Sequence, residues 1–157
     1  MTDILPFLKS IISISGVSGY ETPVAALIEE KWRPLVDEVT TSRVGSLHGL
    51  KKGSGKGAAL SKSKGNRPAI MIATHMDAIG MMVTKVADGF LHITKVGGID
   101  VRVLPGTPVT VHANSGEELP GVIVMPSAKL LPESVNNSDV LDIAYLLVDT
   151  GLTPREV

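Results

Sequence analysis

Near residue 78 the spacing of apolar residues changes, and this change limits the chain to a mixed α/β architecture. Before it, apolar side chains recur at helical spacing. Ile4, Leu8, Ile11 and Ile12 define one face of a helix expected over 3–15, with Leu5 and Phe7 broadening it. Pro6 is compatible because it falls in the first turn. The run Ser15-Gly16-Val17-Ser18-Gly19 stops that helix. A second helix is expected from Thr22 as N-cap and Pro23 as first helical residue, with Val24, Leu27 and Ile28 on one side and Pro34 at its end. Val36, Val39, Val44 and Leu47 suggest two short strands around Thr40-Thr41-Ser42-Arg43. Two polar loops, 51–57 and 61–67, precede Pro68 and the apolar run Ala69-Ile70-Met71-Ile72-Ala73. Such a run is expected to be a strand buried on both faces.

After residue 78 helical spacing disappears. Short strands are expected at Met81–Val86, Phe90–Val96, Pro108–Ala113, Leu119–Met125 and Ala144–Asp149, with a short helical turn over Ser127–Leu131. Strands at this spacing, separated by Gly, Asn, Asp and Pro turns, suggest a small β-barrel or sandwich.

Composition narrows the function classes. The chain has 157 residues, 43% hydrophobic and 20% charged, enough apolar content for a packed core. With 15 basic and 16 acidic residues the net charge is −1, which offers no electrostatic case for nucleic acid or an anionic membrane. There is no cysteine, so thiolate metal sites, disulfides and a cysteine nucleophile are excluded. No apolar stretch is long enough to span a bilayer, and Met1-Thr2-Asp3-Ile4 does not read as a signal peptide, so a cytoplasmic protein is expected. Aromatic residues are only 3%, which leaves few platforms for bases or sugars.

The pair that can carry chemistry is His75 and Asp77. Residues two apart on an extended segment point to the same side, so the carboxylate can sit beside the imidazole. One ring nitrogen can then bind a divalent metal while the carboxylate holds the other N–H and fixes the tautomer. The alternative is a structural pair, with His75 capping the strand and Asp77 opening a turn.

Five segments lie in a familiar order: Gly16-Val17-Ser18-Gly19-Tyr20-Glu21, Ala73-Thr74-His75-Met76-Asp77-Ala78-Ile79-Gly80, Gly97-Gly98-Ile99-Asp100-Val101-Arg102-Val103-Leu104-Pro105-Gly106, Gly121-Val122-Ile123 and Val148-Asp149-Thr150-Gly151. From about residue 10 to the end the chain resembles the glutamyl-aminopeptidase / cellulase M family of metallopeptidases, which includes self-compartmentalising tetrahedral aminopeptidases. The resemblance implies an α/β fold: part of an aminopeptidase-type catalytic domain over 1–77, then a β-barrel-like insertion over 78–157 used in oligomer assembly. It implies removal of N-terminal residues from peptide substrates with two divalent metals, zinc or cobalt, in a homo-oligomer. His75 matches the family's metal ligand, and Asp77 matches the acidic residue that orients it. The chain departs from the family pattern at Ala78, where an acidic residue is usual, at Ser46, where Asn is usual, and in a longer stretch around Gly53–Gly65. The family's bridging Asp, its Glu pair with the general base and its other ligands lie beyond residue 157. A hydrolytic centre needs about three protein ligands per ion and a water brought to a pKa of roughly 7. The 157 residues alone are therefore expected to be inactive.

Two other classes remain open: a non-catalytic β-rich module for oligomerisation or peptide binding, and a glycoside hydrolase. The latter needs two carboxyl groups about 5–10 Å apart across a sugar, and no such pair stands out. Lys51, Lys52, Lys56, Lys62, Lys64 and Arg67 read as solvated loop residues. Gly53-Ser54-Gly55-Lys56-Gly57 lacks phosphate-loop spacing. Asn136-Asn137-Ser138 is a formal glycosylation sequon, read as loop. His48, His92 and His112 have no partner at metal spacing, and Asp100 with Arg102 reads as a structural pair. Asp149 is expected to be a turn residue at a strand end.

Overall fold

The computed structural model describes residues 3–53, 69–136 and 140–156, apart from the side chains of Ser134 and Asn136. The chain divides into two compact units, Met1–Ala78 and Ile79–Val157. The second polar loop, most of the first, Pro68, and Asn137 and Ser138 of the sequon lie outside the described residues.

The first unit holds α1 (Leu5–Ser13), α2 (Thr22–Trp32), β1 (Glu38–Thr41) and β2 (Leu47–Leu50). Both helices carry proline in the first turn, where its missing N–H costs no helical bond. Thr22 is the first helical residue rather than the cap. Glu21 takes the cap position without a side-chain bond to the helix, because its carboxylate accepts from Gly19 N–H at 2.8 Å. β1 and β2 form an antiparallel hairpin, pairing Val39 with Gly49 and Thr41 with Leu47. Gly49 has a physical reason to be glycine: an added Cβ would lie 2.9 Å from the Trp32 ring, so the indole packs on bare backbone.

One expectation fails in this unit. Residues 69–73 are not a buried strand: Ile70, Met71 and Ile72 are 94%, 88% and 90% exposed and join no ladder. A strand exists only where a neighbour accepts its backbone bonds, and β1 and β2 pair with each other. The segment touches regular pairing only at its end, through a parallel bridge between Val17 and Ala78.

The second unit is a five-stranded antiparallel sheet in the order β3-β4-β7-β6-β5, formed by Gly80–Ala87, Phe90–Val96, Leu147–Asp149, Glu118–Val124 and Pro108–His112 respectively. β3 and β4 join through Asp88 and Gly89, both at positive φ, as a two-residue hairpin turn requires. The core is Leu91, Ile93, Leu104, Ile123, Ile143, Leu146 and Val148. Leu91 and Ile93 alternate with the less buried His92, the period expected of a strand with one covered face. Gly121 lets β6 approach β7, since a Cβ there would lie 2.7 Å from Val148 Cγ1. The last strand is shorter than expected: Ile143–Tyr145 is a 3₁₀ turn, capped by the Asp142 carboxylate accepting from Ala144 N–H at 2.8 Å. A 3₁₀ turn also forms at Ala128–Leu130, inside the expected helical stretch.

Candidate active site

The site is built on an extended segment and a tight turn of the first unit. The turn is Val17-Ser18-Gly19-Tyr20, closed by Tyr20 N–H donating to Val17 O at 2.7 Å, with Gly19 at φ 90°. Ala78 N–H donates to Gly16 O at 2.7 Å and fastens the end of the 69–78 segment to this turn. Gly16 can hold no side chain, because Val24 of α2 fills the space a Cβ would need.

His75 and Asp77 are brought together. Nδ1 of His75 lies 3.0 Å from the Asp77 backbone oxygen and 3.1 Å from its Oδ1. Both partners are pure acceptors, so Nδ1 carries the proton. In the neutral ring that leaves the Nε2 lone pair free, and the His75 side chain is 83% exposed. The other carboxylate oxygen, Oδ2, accepts from the Ser18 hydroxyl. These bonds, Ser18's first and His75's second, hold the Asp77 carboxyl below its ordinary value of 3.8. A cleft of about 500 Å³ adjoins the pair, with Phe7, Ile11 and Trp32 among its apolar walls and Glu21 and Thr74 among its polar ones.

Ser18 was not legible as a site residue; only its place in the Gly16-Val17-Ser18-Gly19 turn marked it. The trio is not a nucleophilic triad. A nucleophilic serine must be hydrogen-bonded to the imidazole that deprotonates it, whereas Ser18 donates to the carboxylate.

The donor chemistry suits a divalent metal at one position: a neutral imidazole with an exposed Nε2 and a carboxylate behind its Nδ1. Among the described residues no group of three or more His, Asp or Glu side chains could hold an ion.

Other sequence candidates fall elsewhere. Arg102 grips Asp100 with Nε at 2.9 and 3.1 Å and Nη2 at 2.5 Å. It holds the Asp100 carboxyl down at about 2. Asp149 Oδ1 accepts from Gly151 N–H at 2.8 Å, as a turn residue does. His112 Nδ1 lies 3.5 Å from Glu118 across the β5–β6 pair. Lys56, Lys62, Lys64 and Arg67 lie outside the described residues.

Residues 55–157 match the family model of the M42 glutamyl aminopeptidases. The chain belongs to that family. A lysyl aminopeptidase of Pyrococcus furiosus is 30% identical to this M42 chain over 95% of its length and 40% of the relative's. Among solved structures, a TET aminopeptidase of the archaeon Thaumarchaeota archaeon SCGC AB-539-E09 superposes with TM-score 0.79 at 27% identity, covering 97% of this chain and 39% of the other. The TET1 peptidase of Pyrococcus horikoshii, which can assemble into a tetrahedron or a large octahedral shell, gives 0.73 at 28% identity, over 98% and 42% of the two chains. The M42 chain spans between 27% and 40% of the length of five curated relatives. M42 aminopeptidases are generally metal-dependent. Among the described residues no helix is long and apolar enough to cross a membrane.

Proposed function

We propose that this chain is the N-terminal portion of a dinuclear metal-dependent aminopeptidase that removes N-terminal residues from peptides. In it, His75 is a metal ligand and Asp77 is the residue that orients it. The observation that carries the reading is the bond from His75 Nδ1 to Asp77, which leaves an exposed Nε2 as the donor. The metal, zinc or cobalt, would supply Lewis acidity toward the peptide carbonyl and the attacking water. The contribution of this chain's own residues is narrower. Asp77 keeps the proton on Nδ1, raises the basicity of Nε2 and holds the ring in one orientation.

The general base and the remaining ligands belong to the rest of the family's length, so residues 1–157 alone are inactive. That remainder also accounts for Ile70–Ile72, an apolar run too exposed to be left in water. It would flank the run with strands and give it the buried place its sequence suits. The β-rich unit serves assembly as a barrel-like insertion, in a homo-oligomer of the kind its TET relatives form.

The test is an aminopeptidase assay on the polypeptide extended through the remainder of the family's length. Zinc- or cobalt-dependent hydrolysis of aminoacyl amides is expected. No hydrolysis of any aminoacyl amide with either metal would defeat the reading.

A further inference from the structure

We propose that Ser18 is a positioning residue for His75, acting through Asp77. Its place in the mechanism rests on the reading of His75 as a metal ligand, but the geometry stands independently. Asp77 is 37% exposed, and a carboxylate so open to water has no reason of its own to prefer one rotamer or one oxygen. Two bonds remove that freedom. Ser18 Oγ donates to Oδ2, and Oδ1 is left to accept from His75 Nδ1. The carboxylate plane is thereby fixed between a hydroxyl on one side and a ring on the other.

Ser18 can do this because its own backbone is held. The turn is closed by the Tyr20–Val17 bond, and Gly19 N–H is bound by Glu21. The Val17–Ala78 bridge sets this turn beside the segment that carries His75 and Asp77. Gly16 packs against Val24, the buried residue of α2, so the turn is anchored to a helix rather than to a loose loop. The line of dependence runs from α2 through the Gly16–Gly19 turn and the Ser18 hydroxyl to Asp77, and from there to the tautomer of His75. Fifty-nine residues of sequence separate the two ends of the Ser18–Asp77 bond.

The test reads the tautomer directly. In the 157-residue chain at a pH where His75 is neutral, imidazole ¹⁵N NMR should find Nδ1–H as the major form. Ser18→Ala, which leaves the Asp77 backbone oxygen at 3.0 Å as the fixed acceptor for Nδ1, should lower the Nδ1–H share, and Ser18→Thr, which keeps the hydroxyl, should restore it. Folding of each variant is read from the amide spectrum. If Ser18→Ala does not fold, Ser18→Cys, whose thiol is a weak donor, replaces it: a lowered Nδ1–H share supports the role and the wild-type share overturns it. A folded Ser18→Ala with the wild-type tautomer also overturns it. In the extended polypeptide, Ser18→Ala should weaken zinc binding by about tenfold, as loss of an outer partner does, while Ser18→Thr should not. Unchanged zinc affinity in Ser18→Ala would overturn the role. The tautomer is read without metal or substrate. Failure of the aminopeptidase assay therefore leaves this result standing, and a wrong tautomer would not by itself abolish hydrolysis.

Discussion

At the scale of single residues, the proposed chemistry rests on which ring nitrogen of His75 carries the proton. Asp77→Asn replaces a carboxylate by an amide that can turn its NH₂ toward Nδ1 and invert the tautomer. In the extended polypeptide the expected cost is about 10–100-fold in zinc affinity, read by competition with a chelator. The His75–Asp77 pair was legible because its geometry is local, two residues on one extended segment. The Ser18 bond was not legible, because nothing in a sequence pairs a turn hydroxyl with a carboxylate 59 positions later. Asp100 and Arg102, also local, form an ion pair. Its carboxyl lies at about 2 in the folded chain against an ordinary 3.8. The folded form thus binds its proton less readily than the unfolded one. The pair's stabilisation is whole above pH 3.8 and fades as pH falls toward 2. Carboxyl ¹³C titration should place Asp100 near that lower value, and Arg102→Ala should return it toward 3.8. Both side chains are substantially exposed, so the effect on stability is small.

At the scale of elements, local signals carried most of the fold. Proline in the first turn placed the start of both helices, a Gly-rich run placed the stop of the first and Pro34 that of the second, and alternation placed β4 at Phe90–Val96, the bounds expected from sequence. Misreadings arose where a neighbour decides. Glu21 rather than Thr22 holds the cap position, its carboxylate engaged by Gly19, and a 3₁₀ turn capped by Asp142 stands where the last strand was expected to start. The apolar run 69–73 was the largest miss, since its sequence describes a buried strand but the described residues offer it no flanking strand. Packing makes two substitutions informative. Gly121→Ala forces a Cβ against Val148 between β6 and β7, at a cost of about 1–3 kcal/mol by denaturant unfolding. Leu146→Ala empties a fully buried site, at a cost of about 2–5 kcal/mol.

At the scale of the whole molecule, the chain joins a helix-containing unit to a β-sheet unit with its own core. α1 buries none of its residues, and Ile4, Leu5, Leu8 and Ile12 remain exposed alongside Ile70–Ile72. Apolar surface of that kind associates in water. The 157-residue chain is therefore expected to self-associate in light scattering, and Ile70→Ser with Ile72→Ser should reduce it without loss of helical circular dichroism. The proposed function turns on the donor at His75 Nε2. The decisive measurement is the metal content of the extended polypeptide, purified as wild type and as His75→Ala and dialysed against zinc. The variant should lose one ion per protomer while keeping its fold. Equal metal content in the two proteins would contradict the assignment of His75 as a ligand.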